Sequence, residues 1–554
     1  MKLPELVGYD EAKGKPKMRI AADFSWEAFR QLGGDTQLDF TPKLSGNQEQ
    51  LRTRDKAVAK ARDTENNTEA IRGGLDRKAN TVVGPALRPV PTPDLRWLGR
   101  PTDVDWLLEY QQSATSAFNE WANDRFQRCD AEGHYNFGGL MWQAFRSLTG
   151  PEAEVGGYIG YDRDRADRMG HKWGTFVHLV DSARISNPDG KPDYSWLKSG
   201  RQVDELGAME GLYIATRHPG EAPTSDEKVT RNATWDFVPR YTDSGRPMAF
   251  HWFFKRRPGM QRALTSLTAV LRTVQLLSRF NDATLQTAVS NSLMATFIKT
   301  TMSPEKAAEH MAPGDEDQPS EYFEKVDAYS KMNLRFGDKR IPVLGPNDEI
   351  VFESLEGAAM DFDPFRNAFL RELASALNIS FEQLSLDFSR SSYSSTRSSL
   401  MEAWKQVMFE RFMFTNHVAG LVYDAVIEEA FALGILVEPT GAPSFYEARQ
   451  AYTNCRWIGP AQGWVDPAKE ITAAQTRVAL GISSLSTEAA GQGEDWHDVL
   501  LQRSLENRVA AELGVVIDTG GGGAPGTNAA EDDEEAANAK SDAAGNKEPA
   551  DANA

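Results

Sequence analysis

With 554 residues, 40% of them hydrophobic, the chain is too long for one compact core and apolar enough to fold as about two to four domains, which excludes bulk disorder. The formal net charge is −19; residues 520–554 hold eight Asp or Glu and two Lys, so −6 sits in that tail and −13 in the rest. A body this acidic excludes tight non-specific nucleic-acid binding, which needs Lys and Arg to replace phosphate counterions, but not loose enclosure of a duplex that must slide. Cys129 and Cys455 are the two cysteines and form no CxxC, as expected in a reducing cytoplasm. Residues 1–10 lack the apolar core of a signal peptide, and no run of about 18 apolar residues could span a bilayer, so a soluble, cytosolic chain is expected until assembly.

Residues 1–50 are polar, mixed in charge and rich in Gly and Pro, and read as an arm rather than a domain. From Leu51, the Arg- and Asn-rich stretch through Ala70, Ile71 and Leu75 to Val82, Val83 and Gly84 predicts a helix closing on a turn. Taken alone, these residues are better accounted for by an exposed amphipathic helix followed by a turn. Residues 103–149 carry helical apolar spacing at Trp106, Tyr110, Phe118 and Trp121, then at Phe137, Met141, Phe145 and Leu148. Residues 155–256 change to short alternating runs around Ile159, Val177, Ile214 and Trp252, separated by Gly, Pro and Asp, which predicts strands and an α+β fold. After Arg257-Pro258-Gly259-Met260-Gln261-Arg262 a long helix follows, with Leu264, Leu267, Leu271, Val274, Leu277, Phe280, Leu285, Val289 and Leu293 as apolar positions. Residues 299–360 are short, charged and irregular.

The chain is organised around residues 361–433. Asp363-Pro364 predicts a helix start, with Phe365, Phe369, Leu373 and Leu377 at helical spacing and Asn378 as its end. The stretch that follows offers nothing for a core: Phe381 to Phe388, then Ser389, Arg390, Ser391, Ser392, Tyr393, Ser394, Ser395, Thr396 and Arg397. Ser399 and Glu402 are spaced as a capping box opening a second helix, apolar nearly all round over 400–431 through Phe409, Phe412, Met413 and Phe414; such a helix needs cover on several sides, expected from neighbouring subunits. Alone, the serine run reads as a flexible linker or a phosphorylation segment.

Leu384-Ser385-Leu386-Asp387-Phe388 through Tyr393-Ser394-Ser395-Thr396-Arg397 to Glu402 resembles the signature of lambda-type tailed-phage portal proteins. So do Val82-Val83-Gly84, the Arg-Pro-Gly-x-Gln-Arg start of the long helix (with Ala263 where the family usually has Gly), Trp457-Ile458-Gly459-Pro460, Trp464-Val465-Asp466-Pro467-x-Lys469-Glu470, and Gly493-x-Asp495 before a helix to Gly514. These pieces stand in the family's order over about 50–514. The resemblance implies a portal fold: wing (51–256), stem helix (257–298), clip (299–360), second stem helix (361–380), tunnel loop (381–399), long wing helix (400–439), helical crown (440–514) and an acidic low-complexity tail (515–554). It implies a dodecameric ring at one capsid vertex through which double-stranded DNA is packaged and ejected, in the virion and, before assembly, in the host cytoplasm. Ser389, Arg390, Ser391, Ser392, Tyr393, Ser394, Ser395, Thr396 and Arg397 would face that channel. Implied partners are the packaging ATPase (terminase large subunit) on the clip, the head–tail connector that replaces it, and the major capsid protein around the wing; no cofactor is implied.

Enzyme signatures are missing: the sequence has no GxxxxGK[ST] phosphate loop, HExxH, GxSxG or paired CxxC. Gly521, Gly523 and Gly526 match GxGxxG without a helical pattern behind them, and no two of the eight His are three or four residues apart. Asp361 and Asp363 could hold a divalent metal, but helix capping explains them more cheaply. A DNA-packaging motor, which needs a nucleotide site, is therefore disfavoured. The other alternative, a minor capsid or tail protein, would share the acidity but not the helix, serine loop, helix order.

Overall fold

A computed structural model describes residues 8–10, 15–17, 45–51, 53–221, 234–294, 335–336, 339–340, 362–388, 393–463 and 467–514. Two short hairpins are formed by β1 (Gly8–Asp10) with β2 (Lys15–Lys17), and, within the expected clip, by two-residue strands Arg335–Phe336 and Lys339–Arg340. Most of the arm and clip lies outside the described residues, as does the acidic tail.

The helix expected from Leu51 to the Val-Val-Gly turn is broken in two. After α1 (Gly46–Leu51), α2 (Arg54–Asn67) stops at Thr68, whose extended backbone (φ −129°, ψ 107°) resets the direction before α3 (Glu69–Val82). Beta-branched Thr68 follows Asn66-Asn67, and such residues compete poorly for helix interiors. Strand β3 (Arg88–Pro91) follows, then α4 (Val104–Ala122) and α5 (Phe137–Thr149), capped by Asp103 and Asn136, whose side chains accept from Trp106 N and Gly139 N.

The alternating region forms two antiparallel sheets. β4 (Val155–Tyr161) lies between β5 (Thr175–Leu179) and, from further along the chain, β10 (Ala249–Trp252), with a short helix α6 (Arg163–Arg168) in the β4–β5 connection. β6 (Leu197–Lys198), β7 (Arg201–Val203), β8 (Met209–Ala215) and β9 (Trp235–Pro239) follow as a meander. α7 (Leu271–Met294) is the long helix expected after Arg262.

α8 (Phe362–Leu377) packs against α7 and α3 and ends at Asn378, whose φ of 54° is the left-handed stop that Asn tolerates. A short α9 (Phe381–Ser385) then precedes α10 (Tyr393–Phe414). A π turn over Thr415–Ala419 joins α10 to α11 (Gly420–Ala432). α12 (Arg449–Thr453) leads into β11 (Cys455–Ile458), which pairs antiparallel with β3.

The main core gathers α4, α5, α11 and the β4–β5–β10 sheet, with Trp121, Phe137, Phe145, Phe414, Tyr423 and Tyr452 fully buried, while Ile185, Met209, Leu212 and Ile214 form a separate cluster under the meander. A second cluster joins α2, α3, the start of α7, α8 and α9 through Ile71, Leu75, Leu267, Leu373, Leu377 and Leu384. The expectation that the cover on several sides of 400–431 comes from neighbouring subunits is therefore corrected in part. From Val418 to Ala430 the chain's own elements bury the helix, and within 400–431 the exposed Phe and Met side chains belong to α10.

Residues from Ala468 onward form a second unit. It holds α13 (Pro467–Ala479), α14 (Leu485–Gly491) and α15 (Trp496–Leu513). Asp495 caps α15 by accepting from His497 N at 3.0 Å, Gly514 ends it in the left-handed conformation, and Arg477 reaches Glu488 at 2.7 Å between α13 and α14.

Candidate nucleic-acid interface and its anchorage

Of the residues expected to face DNA, Ser389, Arg390, Ser391 and Ser392 lie outside the described residues. Tyr393, Ser394, Ser395, Thr396 and Arg397 do not continue a loop: they form the first turns of α10. The helix thus begins six residues before the expected start, and Ser399 and Glu402 are not its capping box. Ser399 Oγ donates instead to Glu382 Oε2 at 3.1 Å, and Glu402 pairs with Lys405 at 2.6 Å. Serine and threonine are weak helix formers but no helix breakers, and with neither Gly nor Pro from 381 to 419 nothing local forbids the earlier start. The capping box sits before the loop: Gln383 N donates to Ser380 Oγ at 3.1 Å while Ser380 N donates to Gln383 Oε1 at 3.1 Å.

Nor is the stretch before the serines free of core contacts. Leu384 is buried in the second cluster, against Leu377 and the surface of α3 at Gly74. A Cβ on Gly74 would lie 2.8 Å from Leu384 Cδ1 and 2.9 Å from Leu377 Cδ1, so glycine is what admits both side chains. Arg77 Nη2 donates to Leu384 O at 2.7 Å, and Lys78 Nζ donates to Leu377 O at 3.0 Å. α3 therefore clamps both ends of the turn that leads to the loop.

The far side of the loop is held by α10. Lys78 Nζ also meets Glu410 at 2.8 Å, both nearly buried, so each charge is compensated by the other. The next residue, Arg411, is buried and donates from Nε to Val82 O at 2.8 Å and from Nη2 to Thr81 O and Pro460 O, both at 3.0 Å, with its guanidinium 5.2 Å from the centre of the Trp404 ring. Burial pulls the guanidinium down to about 10, still protonated at neutral pH. Arg411 thus ties together the Val82-Val83-Gly84 turn, the Trp457-Ile458-Gly459-Pro460 segment and the helix behind the serines. Gly84 is needed there: its φ is +64°, and a Cβ would come within 2.2 Å of Pro460 Cγ. Between these anchors α3, α9 and α10 leave a cleft of about 220 Å³.

Sequence reasoning missed two further buried networks that fix the frame around this segment. Glu154, just before β4, accepts from Arg54 Nη2 at 2.6 Å, Arg262 Nη2 at 2.5 Å and Ala263 N at 3.1 Å, with His251 Nε2 3.4 Å away. Burial alone would raise its carboxyl, but Arg262 and Arg54 hold it well below the usual carboxylate range. Burial lowers His251 to about 4, with Glu154 opposing the shift. Arg262 also donates to Ile185 O, Ser199 O and Ser182 O, which locks the start of the long helix onto the sheet region. The second network seats α11 on β5: Glu429 accepts from Gly174 N at 2.6 Å and Thr175 N at 3.0 Å, and Arg246 Nη2 donates to Thr175 Oγ1 at 2.7 Å. The Arg-Pro-Gly-x-Gln-Arg motif pointed to Arg262; its partner Glu154 carried no local signal.

Among the described residues no group of three or more His, Cys, Asp or Glu is placed to hold a metal ion, and no helix is long and apolar enough to cross a membrane.

The family described as "Phage portal protein, lambda family" matches residues 34–411. The chain is 27% identical over 520 residues to the portal protein of Escherichia phage N15, covering 92% of this chain and 94% of that one. It is 25% identical over 464 residues to portal protein B of Escherichia phage lambda, covering 82% and 84%. A chain from the virion of a native gene transfer agent particle superposes with a TM-score of 0.37 and 11% identity, over 79% of this chain and 93% of that one.

Proposed function

The chain belongs to the lambda family of phage portal proteins, and we propose that its copies close head to tail into a dodecameric ring at one capsid vertex, through which double-stranded DNA enters and leaves the head. The family match over 34–411, which spans the serine segment and its anchors up to Arg411, carries this reading. α7 and α8 would serve as the stem helices, the region 299–360 between them as the clip, 51–256 as the wing and 440–514 as the crown.

In this reading 389–397 forms the narrow level of the channel. Short hydroxyls exchange hydrogen bonds with passing phosphates, or with their water, at small cost per step. Arg390 adds one modest phosphate contact per subunit, whereas an array of Lys would hold the duplex. The acidic body repels phosphate only within a Debye length, about 8–10 Å at physiological salt, so it acts at the channel wall. Anchorage by Leu384, Lys78 and Arg411 fixes the two ends of the segment, so that its position follows that of α3.

The role is mechanical rather than catalytic, in keeping with a sequence that has no phosphate loop to couple ATP hydrolysis to movement. Partners in this reading are the packaging ATPase and then the head–tail connector at the clip, and the major capsid protein around the wing. Electron microscopy of the purified chain tests the proposal: closed rings with a central hole are expected, and shells, fibres or a monomer at every concentration would overturn it.

A further inference from the structure

We propose that the outer face of α10, carrying Met401, Met408 and Phe412, is the surface by which one copy of this chain docks on the next, its side chains seating in that copy's cleft between α3, α9 and α10. The inference rests on the head-to-tail ring above and adds which two surfaces meet.

Four large apolar side chains of α10 stand in solvent on a single chain: Met401 is 52% exposed, Met408 47%, Phe409 51% and Phe412 63%. Together they offer on the order of 400 Å² of apolar surface, the size at which a patch marks an interaction site. One side of a stable protein interface needs about 800 Å², with an apolar core inside a polar rim. The patch has the dimensions of such a core, and Glu402 and Lys405 supply charged rim beside it. Phe409 extends it toward Phe254, ring centres 6.4 Å apart.

The helix that carries the patch is held firmly. Its opposite side is fastened by the Lys78–Glu410 pair, and its flank by Arg411, which holds three carbonyls and donates from Nη1 to Met408 Sδ at 3.8 Å, so the outer face is presented with little further ordering cost. At 3.6 residues per turn, 401, 408 and 412 project about half a turn away from 407 and 410. Val407 and Glu410 line the cleft.

The cleft supplies the complementary shape. Ile379, Leu386, Phe388 and Val407 give it apolar walls, and Leu386 and Phe388, 63% and 50% exposed, stand at its rim. Its volume, about 220 Å³, is below the roughly 300 Å³ at which small-molecule sites begin, and suits one or two large side chains. Knob and hole thus lie on opposite sides of one helix. A chain so built cannot satisfy itself, but a second copy, related by a single rotation, brings knob to hole and leaves another pair free for the next; such contacts close when the rotation divides the circle.

The test uses the full-length chain. Replacing Met408→Glu and Phe412→Glu together should raise the concentration for half-assembly about thirtyfold or more, read by sedimentation velocity and electron microscopy, while the melting of the dissociated chain stays at the wild-type value. Unchanged rings from the double variant would overturn the proposal. If the variant does not fold, a Phe388→Cys, Phe412→Cys chain decides: mild oxidation should give a ladder of disulfide-linked multimers, absent from either single variant and from wild type. Wild-type rings without a ladder from the paired cysteines would overturn this docking and leave the ring standing; a wild-type chain that never assembles would overturn both.

Discussion

Arg411 brings together three segments that are far apart in the chain. Its guanidinium meets carbonyls from Thr81, Val82 and Pro460, so Arg411→Ala should remove three buried hydrogen bonds and cost about 3 kcal/mol or more, measured by denaturant unfolding. Arg411→Lys should recover little, because one ammonium cannot reach the three acceptors that the planar fork serves. Acid sensitivity should come from the Glu154 network. His251 titrates near 6.5 unfolded and is lowered to about 4 in the fold, so the unfolded state binds more protons between those values and stability falls as pH drops through that window, by up to about 3 kcal/mol. Glu154, held below the usual carboxylate range, contributes stability that is fully present above its unfolded value and is lost as pH falls through its folded one, in still more acidic solution. Melting temperatures from pH 7 to pH 4 should therefore decline less steeply in His251→Gln than in wild type; equal slopes would show that His251 does not titrate in this window.

At the scale of elements, the turn, short helix and serine segment between α8 and α10 depend on two glycines and on chemistry the loop itself does not contain. Gly84→Ala must place a Cβ against Pro460 at a positive φ, and should lower stability by about 1–3 kcal/mol in thermal melts. The serines should behave differently. If 389–397 faces a channel, replacing Ser391, Ser392, Ser394 and Ser395 by Ala should change stability by less than about 0.5 kcal/mol each. The same changes should still disturb DNA retention, because all subunits act at one level of the bore. Ser392→Lys should be worse, since it narrows the bore and adds a phosphate contact per subunit. Melting of the assembled ring and the length of DNA packaged in virions carrying each variant check this together. A strong loss of stability with normal DNA lengths would mean that the segment is buried structure.

For the whole molecule, the acidic run after residue 519 is rich in Gly, Ala, Asp and Glu and carries no large apolar side chain. Truncation after Thr519 should leave ring size and melting temperature nearly unchanged, checked by electron microscopy and calorimetry; loss of assembly would reveal a contact made by the tail. The described chain places charge and apolar surface differently. Glu154, Glu410 and Glu429 are buried and paired, while α10 keeps Met401, Met408, Phe409 and Phe412 exposed, where a neighbouring copy would cover them.

Periodicity and turn chemistry are local properties, and the sequence by itself determined what depends on them: the α+β change near residue 155, the long helix after Arg262, the stop at Asn378, the helix that ends at Gly514, and the set of motifs that marks the family. The tertiary structure decided what depends on partners distant in the chain. Leu384 became a core residue only because Gly74 leaves room for it, and α10 could start at Tyr393 because no local breaker opposed it and Lys78 and Arg411 hold its body. Glu154 gave no sign in its own neighbourhood, since what makes it a hub is the approach of Arg54 and Arg262, each about a hundred residues away. Burial on every side of α11 was equally unreadable, because an all-apolar helix has the same sequence whether its own chain or a neighbour covers it.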